Sequence, residues 1–165
     1  MTLNLRTRVA TVGLASSLAA GVLLGAQGGE QRITPGEVRW PPAAAGGVGT
    51  SGVSGTQTVI LKGDPSKPGL YTLLLRVGPN TKIEAHAHPD DRVATVVSGT
   101  WYFGYGKQFN ESALKTLPAG SFYTEPPNTN HFAMTRGETV TIQITGMGPS
   151  GTTYVDPAND PARRK

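Results

Sequence analysis

The chain has 165 residues, which suits one folded domain with terminal segments and leaves little room for a second domain. Its 22 glycines and 13 prolines fall between apolar runs, so the composition excludes a low-complexity chain and indicates a globular protein with many turns. It contains no cysteine, which excludes disulfide bonds, and its net charge of +4 is not gathered on any apolar-periodic segment, which argues against nucleic-acid binding.

The N-terminal segment has the pattern of a secretory signal peptide. Arg6 and Arg8 precede the uncharged stretch VATVGLASSLAAGVLLGA, which is rich in small residues. We predict a signal peptide over residues 1–28, with Gly29 as the mature N-terminus, and a periplasmic or secreted protein. An uncleaved membrane anchor is the alternative, but the many small residues make the stretch weakly hydrophobic. No stable membrane span is therefore expected after cleavage.

Two segments outside the apolar part of the chain are predicted to be accessory. Residues 29–55 end in PPAAAGGVGTSGVSG, which lacks apolar periodicity, and we predict an N-terminal arm and a Pro/Gly-rich linker there. Residues 156–165 end in three consecutive basic residues and are predicted to form a basic C-terminal tail.

Residues 56–155 consist of short apolar segments that are separated by Gly, Pro, Asn and Asp. The clearest segments are TQTVILKG, LYTLLLRVG, TKIEAHAH, RVATVVSG and TWYFGYG, followed by residues 121–125, the segment starting at His131, and residues 139–145. In the last of these, Val140, Ile142 and Ile144 alternate with polar residues, as in a half-buried strand. Helical spacing is absent, apart from about one turn in ESALK. Some eight short strands predict an all-β sandwich or small barrel.

The three histidines of the chain are candidate metal ligands. His86 and His88 are two residues apart, so in a strand their side chains lie on the same face and can converge on one ion. Two histidines do not complete a site, and His131, after the turn-forming EPPNTN, is the one other histidine available. Iron, zinc, manganese, copper and nickel all accept neutral imidazole. The pattern predicts a divalent transition metal and leaves its identity open.

The residues around the first two histidines resemble the first motif of the cupin superfamily, G-x5-H-x-H-x3,4-E-x6-G. His86 and His88 match the paired histidines, and Gly99 matches the closing glycine. Gly78 stands two residues too early for the opening glycine, and Arg92 occupies the position of the glutamate.

The residues around the third histidine resemble the second cupin motif, G-x5-P-x-G-x2-H-x3-N. Gly120, Pro126 and His131 match it, whereas Asn128 replaces its second glycine and Thr135 its asparagine. Asparagine tolerates a left-handed turn conformation better than most residues, so the first replacement is mild.

The resemblance covers residues 57–154 and is more specifically to small, single-domain bacterial cupins with a leader. It implies an all-β cupin double-stranded β-helix, that is, a jelly-roll barrel in a cupin domain over residues 56–155. It also implies His86, His88 and His131 as the metal ligands. Because cupin sheets expose edge strands that need cover, we expect a homodimer.

Arg92 departs from the family pattern, because a guanidinium cannot bind a cation as a ligand. One hypothesis is that it pairs with Asp90 or Asp91 at the surface. The other is that it lines the pocket, as a catalytic residue that binds a substrate carboxylate or enolate.

Glu125 is a second candidate catalytic residue, because it ends the strand that precedes the His131 turn. It could accept a hydrogen bond from a ring N–H of one histidine, or stand near the metal as a general base. A similar glutamate occurs in the three-histidine cupin dioxygenases that cleave diketones. An exposed glutamate paired with a lysine or arginine is the alternative.

Three histidine ligands leave coordination positions open for a small-molecule ligand or substrate. We therefore predict a metal-dependent enzyme that is dioxygenase-like or acts on a small carbonyl, enolisable or aromatic acid. The alternative is a non-catalytic cupin that binds a small acid, sugar or metal for sensing or scavenging. Because metal binding needs neutral imidazoles, metal occupancy is expected to fall below about pH 6.5.

Overall fold

The computed structural model describes residues 29–44 and 46–163. The predicted signal peptide over residues 1–28 lies outside the described residues, and its cleavage stays a prediction. No helix within the described ranges is long and apolar enough to cross a membrane.

The described chain is built from ten β-strands and four single-turn 3-10 helices. The strands are β1 (Thr56–Lys62), β2 (Gly69–Val77), β3 (Lys82–Ala87), β4 (Arg92–Ser98), β5 (Thr100–Tyr105), β6 (Lys115–Pro118), β7 (Phe122–Glu125), β8 (His131–Met134), β9 (Val140–Gly148) and β10 (Thr153–Tyr154). The 3-10 helices are Pro35–Glu37, Glu111–Ala113, Pro157–Asn159 and Pro161–Arg163. The eight predicted strands are present, and β6 and β10 are additional. The predicted helical turn in ESALK covers Glu111–Ala113 only, because Lys115 begins β6.

The strands form two antiparallel sheets that enclose one core. Their orders are β1-β2-β9-β4-β7 and β10-β3-β8-β5-β6. Inward-facing residues of both sheets fill the interior, and Val140, Ile142 and Ile144 are buried in it as the alternation predicts. Consecutive strands often lie in opposite sheets, so residues distant in sequence meet inside the barrel.

Two strand pairs bring the candidate residues together. In the second sheet, β3 pairs with β8 so that His86 lies directly opposite His131. In the first sheet, β4 pairs with β7 so that Arg92 lies directly opposite Glu125. All four side chains are buried, and the two pairs therefore face each other across the interior.

Two turns hold the motif strands in register. Asn128 has a φ of 56°, the left-handed conformation for which the family uses glycine, and its N–H donates to the carbonyl of His88 at 2.7 Å. Gly99 has a φ of 76°, and a Cβ atom there would lie 2.7 Å from the carbonyl oxygen of Thr139. The glycine between β4 and β5 is therefore required by both conformation and space.

Thr135, which stands where the family motif has asparagine, connects two parts of the backbone through its side chain. Its hydroxyl donates to the Gly78 carbonyl at 2.6 Å and accepts from the Thr81 N–H at 2.9 Å. The side chain is fully buried, and it joins the end of β8 to the turn before β3.

The two sheets end at the edge strands β1, β7, β10 and β6. The N-terminal arm meets β1 at an isolated bridge between Ala44 and Thr56. A homodimer that covers an edge strand stays a prediction.

Candidate metal centre

The three predicted ligands converge inside the barrel. His86 and His131 come from facing strands, and His88 follows directly after β3. Their ring centroids are 4.4–5.2 Å apart, and one ring nitrogen of each lies within 4.8 Å of the others. All three rings are buried.

Backbone carbonyls set the tautomer of every ring. The Nδ1 atom of His86 lies 2.7 Å from the Glu84 oxygen, and that of His131 lies 3.0 Å from the Thr129 oxygen. The Nδ1 atom of His88 lies 2.6 Å from the Gly151 oxygen. A carbonyl only accepts hydrogen bonds, so each Nδ1 carries the proton and each Nε2 presents a lone pair.

The inward nitrogen atoms fit a metal ion. The Nε2 atom of His88 is buried without a hydrogen-bond partner, an arrangement that costs about 1–3 kcal/mol when nothing binds there. Three converging imidazole lone pairs, each ring held by a carbonyl behind it, are the ligand set that divalent transition metals accept. The residues present therefore fit the predicted metal.

Burial keeps these rings neutral. It lowers the pKa of His86 to about 3, with a further contribution from the neighbouring His131 ring, whose protonated form would repel a second charge. It lowers the pKa of His88 to about 2, assisted by the Arg92 guanidinium. The pKa of His131 is also lowered by burial, and Glu125 partly opposes that shift. Because the buried rings resist protonation well below pH 6.5, the loss of metal from the folded protein is expected at a lower pH than the free-histidine value predicts.

We also predict that acid lowers the free energy of unfolding of the metal-free protein. The unfolded chain binds protons at its histidines below about pH 6.5, whereas the folded chain does not, so the free energy of unfolding falls as pH drops from 6.5 towards 3. Urea unfolding of the metal-free protein at pH 8, 7, 6 and 5 should show that unfolding takes up at least about two protons per molecule near pH 5. A free energy of unfolding that stays constant between pH 7 and 5 would contradict buried neutral rings. The interval from pH 8 to 7, in which histidine protonation changes little, is the internal control.

Arg92 does not pair with Asp90 or Asp91, and that hypothesis is wrong. Asp90 accepts hydrogen bonds from the hydroxyls of Tyr71 at 2.6 Å and Ser150 at 2.7 Å, and Asp91 is exposed. The Asp90 carboxylate is thus already bound by two hydroxyl groups, and the Arg92 guanidinium points into the barrel instead.

Arg92 pairs with Glu125 instead. Its Nε donates to Glu125 Oε2 at 2.8 Å, and its Nη2 donates to the same oxygen. The residues are 2% and 4% exposed, so Glu125 is not the exposed strand-end residue of the alternative hypothesis. Burial by itself would raise the pKa of Glu125, but the Arg92 charge, followed by interactions with the His131 and His88 rings, lowers the pKa to about 2. Glu125 is therefore ionised, and the pair is held in a dry environment.

Glu125 faces the lone pairs of the rings and not their N–H groups. Its Oε2 lies 3.6 Å from His131 Nε2 and 3.8 Å from His88 Nε2, whereas the ring N–H groups bind carbonyls. The predicted role as acceptor of a ring N–H is therefore wrong. The carboxylate lies beside the point on which the rings converge, where its negative charge can stabilise a bound ion.

The space between these groups is small. The cavity that the histidines, Arg92 and Glu125 line has a volume of about 20 Å³, enough for one water molecule or an ion. Thr50 and Ser51 of the N-terminal arm close it on one side, and both residues are buried. Access of a substrate to the histidines therefore requires a movement.

Sequence reasoning missed the residues that close and support this site. Thr50 and Ser51 lie in a segment assigned to a linker, and the Gly151 carbonyl that holds His88 lies 63 residues from that ring. These groups act through backbone carbonyls or as small uncharged side chains, so residue type carries no signal for them. A contact across such a separation appears only after the chain has folded.

No family model matches the chain, and no curated protein matches it significantly. Solved structures do share its fold. KdgF from Halomonas sp. is 17% identical, with a TM-score of 0.52, and the match covers 73% of this chain and 96% of that one. A structure of DMSP lyases is 21% identical, with a TM-score of 0.51 and coverage of 68% and 57%. A sugar phosphate isomerase of the cupin superfamily from Silicibacter pomeroyi is 18% identical, with a TM-score of 0.48 and coverage of 61% and 65%.

These comparisons concern the fold. This chain spans less than two thirds of the length of the lyase and isomerase chains. Two antiparallel sheets in this arrangement, together with the likeness to the KdgF and DMSP lyase structures, confirm the predicted fold class: the chain has an all-β jelly-roll barrel fold of the kind found in cupins.

Proposed function

We propose that this chain is a metal-dependent enzyme, in which His86, His88 and His131 bind a divalent transition metal beside Glu125. The observation that carries the proposal is the convergence of three buried Nε2 lone pairs, each on a ring whose Nδ1 binds a carbonyl. Iron, zinc, manganese, copper and nickel are all compatible with these ligands.

When bound, such an ion supplies a Lewis acid for a substrate oxygen and, if it is redox-active, a site for electron transfer. The protein contributes the surroundings. The backbone carbonyls behind the rings orient the ligands. Arg92 holds the Glu125 carboxylate ionised at the cavity, and with a pKa of about 2 this carboxylate acts as a fixed negative charge beside the bound ion.

The charge of the site favours an acidic substrate. The three rings are neutral and Arg92 is balanced by Glu125, so a divalent ion would keep both of its positive charges in a dry cavity. An enolisable or aromatic acid, or a carbonyl compound that forms an enolate, supplies the missing negative charge. Dioxygenase-like chemistry and isomerase- or lyase-like chemistry on such a compound both suit the site, and a DMSP lyase has a similar fold.

The closed cavity favours a second candidate function. A volume of about 20 Å³ holds an ion or a water molecule but no substrate, so metal binding without turnover also fits the closed cavity. In that case the protein binds a metal or a small ligand for sensing or scavenging and has no turnover.

Metal content and turnover separate the two functions. We expect elemental analysis of the mature protein, purified from its natural compartment, to show close to one transition-metal ion per chain. Oxygen consumption and ultraviolet absorbance would then be followed with small enolisable acids and phenols. Metal without turnover for any of these compounds would favour the second function, and absence of transition metal would overturn both metal-based functions.

The Glu125→Gln variant should retain its metal and lose at least about a hundredfold in turnover, since it removes the fixed negative charge beside the ion. Glu84→Gln is the matched control, because Glu84 pairs with Lys82 at the surface. Unchanged turnover in Glu125→Gln would remove Glu125 from the reaction.

We also propose that the protein acts in the periplasm or outside the cell. The support is the leader pattern of residues 1–28. N-terminal sequencing of the protein from the periplasmic fraction would test cleavage near Gly29.

A further inference from the structure

A loop of the N-terminal arm separates the histidine cavity from a larger groove. Residues 47–52, the lid loop, line the outer groove, and two of them, Thr50 and Ser51, also line the histidine cavity. The outer groove has a volume of about 410 Å³ and is also lined by Ser150, Tyr154 and Asp160. Displacement of the lid loop would join the two spaces.

The lid loop is held by three side chains of the barrel that donate to three consecutive carbonyls. The bonds join Arg92 Nη1 to the Gly49 oxygen at 2.6 Å, Thr152 Oγ1 to the Thr50 oxygen at 2.7 Å, and Tyr154 OH to the Ser51 oxygen at 2.6 Å. The other hydrogen bonds shown for the lid loop lie within it: the N–H and Oγ1 of Thr50 donate to the Gly47 oxygen, and the Gly52 N–H donates to Thr50 Oγ1. The Ser51 Oγ is buried without a hydrogen-bond partner.

The lid loop is the wall of the cavity that can move with least disruption. Apart from His88, the other residues around the cavity lie in paired strands of the two sheets. Moving any of those strands breaks a ladder of hydrogen bonds, whereas moving the lid loop breaks few bonds and is eased by Gly47 and Gly52.

Opening the lid loop changes the state of Arg92. Its Nη1 then loses the Gly49 oxygen, while its Nε and Nη2 stay on Glu125. A buried charged donor without an acceptor is costly, so an entering ligand is favoured if it brings an oxygen acceptor. A carboxylate oxygen accepts from a guanidinium more strongly than a carbonyl does.

We propose that the lid loop opens to admit a small carboxylate, one oxygen of which replaces the Gly49 carbonyl on Arg92 Nη1. This inference rests on the proposed function, because it names the substrate class of the same site. The Gly49 carbonyl occupies the position of the substrate oxygen in the closed state, and Arg92 distinguishes anionic substrates from neutral ones.

Hydrogen–deuterium exchange in residues 47–52 of the mature protein tests the proposal. Acetate, pyruvate and benzoate would be compared with acetamide, pyruvamide and benzamide at equal ionic strength, in zinc-loaded and metal-free protein. We expect at least one carboxylate to accelerate exchange in the lid loop about fivefold, the effect of one lost hydrogen bond, and its amide to leave exchange unchanged. Exchange that responds to no carboxylate, or equally to carboxylate and amide, would overturn the proposal.

Two tyrosine variants test the closure itself. Tyr154→Phe removes the donor to Ser51 and should accelerate exchange in the lid loop about fivefold without ligand. Tyr105→Phe is the matched control, because its hydroxyl donates to the Thr124 carbonyl at 2.7 Å, away from the lid loop. Equal exchange in the two variants would show that the hydrogen bond from Tyr154 to Ser51 does not hold the lid loop closed.

The outcomes separate this inference from the proposed function. If the protein binds metal and turns over substrate, but carboxylates leave exchange in the lid loop unchanged, the proposed opening is wrong and the proposed function stands. If a carboxylate accelerates exchange in the lid loop but the protein binds no metal, the proposed substrate class stands and the metal-dependent function is wrong.

Discussion

His131→Ala is expected to weaken metal binding by about a thousandfold. One of three ligands contributes roughly a third of the ~10–16 kcal/mol that structural zinc sites supply, and about 4 kcal/mol corresponds to that factor. The two remaining histidines lie at one end of β3, and the opposite strand then offers no nitrogen. Competition with a chromophoric chelator, with zinc as the probe, measures the change.

Met134→Ala is the control for this variant, because Met134 lies on the same strand and outside the cavity. It removes side-chain volume without removing a ligand, so its zinc affinity should stay within about threefold of the original. Equal affinity in His131→Ala and Met134→Ala would contradict a three-histidine centre. Urea unfolding of both metal-free variants identifies any loss of affinity that comes from loss of the fold.

Arg92→Ala is expected to destabilise the fold by about 3–5 kcal/mol at pH 7, the cost of leaving one member of a buried ion pair alone. Glu125 would keep its burial and lose the guanidinium that lowers its pKa, so its carboxyl would take up a proton at a higher pH than before. The loss should therefore be smaller at pH 5, where protonation relieves the unpaired charge. Urea unfolding at the two pH values measures both effects.

A matched surface pair shows whether the effect comes from burial. Arg136 lies 3.3 Å from Glu111, and both side chains are more than half exposed, so Arg136→Ala should cost less than about 1 kcal/mol. The double variant Arg92→Met/Glu125→Leu should recover most of the loss, because it removes both charges together. If Arg92→Ala cost no more than Arg136→Ala, the buried pair would not stabilise the barrel.

The strands and the histidine set were predictable because both depend on local pattern. Alternation in residues 139–145 predicts the buried face of β9, and the structure buries Val140, Ile142 and Ile144. His86 and His88 are two residues apart on one chain segment, so their common direction follows from strand geometry. The strands β6 and β10 were missed, because each is short and has little apolar alternation.

The partner of Arg92 was not predictable from the chain near it. Asp90 and Asp91 are its neighbours in sequence, yet the register of β4 against β7 places Glu125 opposite it. The arrangement of Asp90 with Tyr71 and Ser150 removes the local acceptor, and both partners of Asp90 are distant in sequence.

The amino-acid sequence by itself determined the strand pattern and the three candidate ligands, since alternation and the spacing of His86 and His88 can be read along the chain and the sequence has only one other histidine. Only the tertiary structure decided how the site is charged and closed. The pairing of Arg92 with Glu125 depends on strand register, and the seating of Thr50 and Ser51 over the rings depends on contacts that span 102 and 103 residues. Burial then sets the proton occupancy of the histidines, because the low-polarity interior disfavours their charged forms.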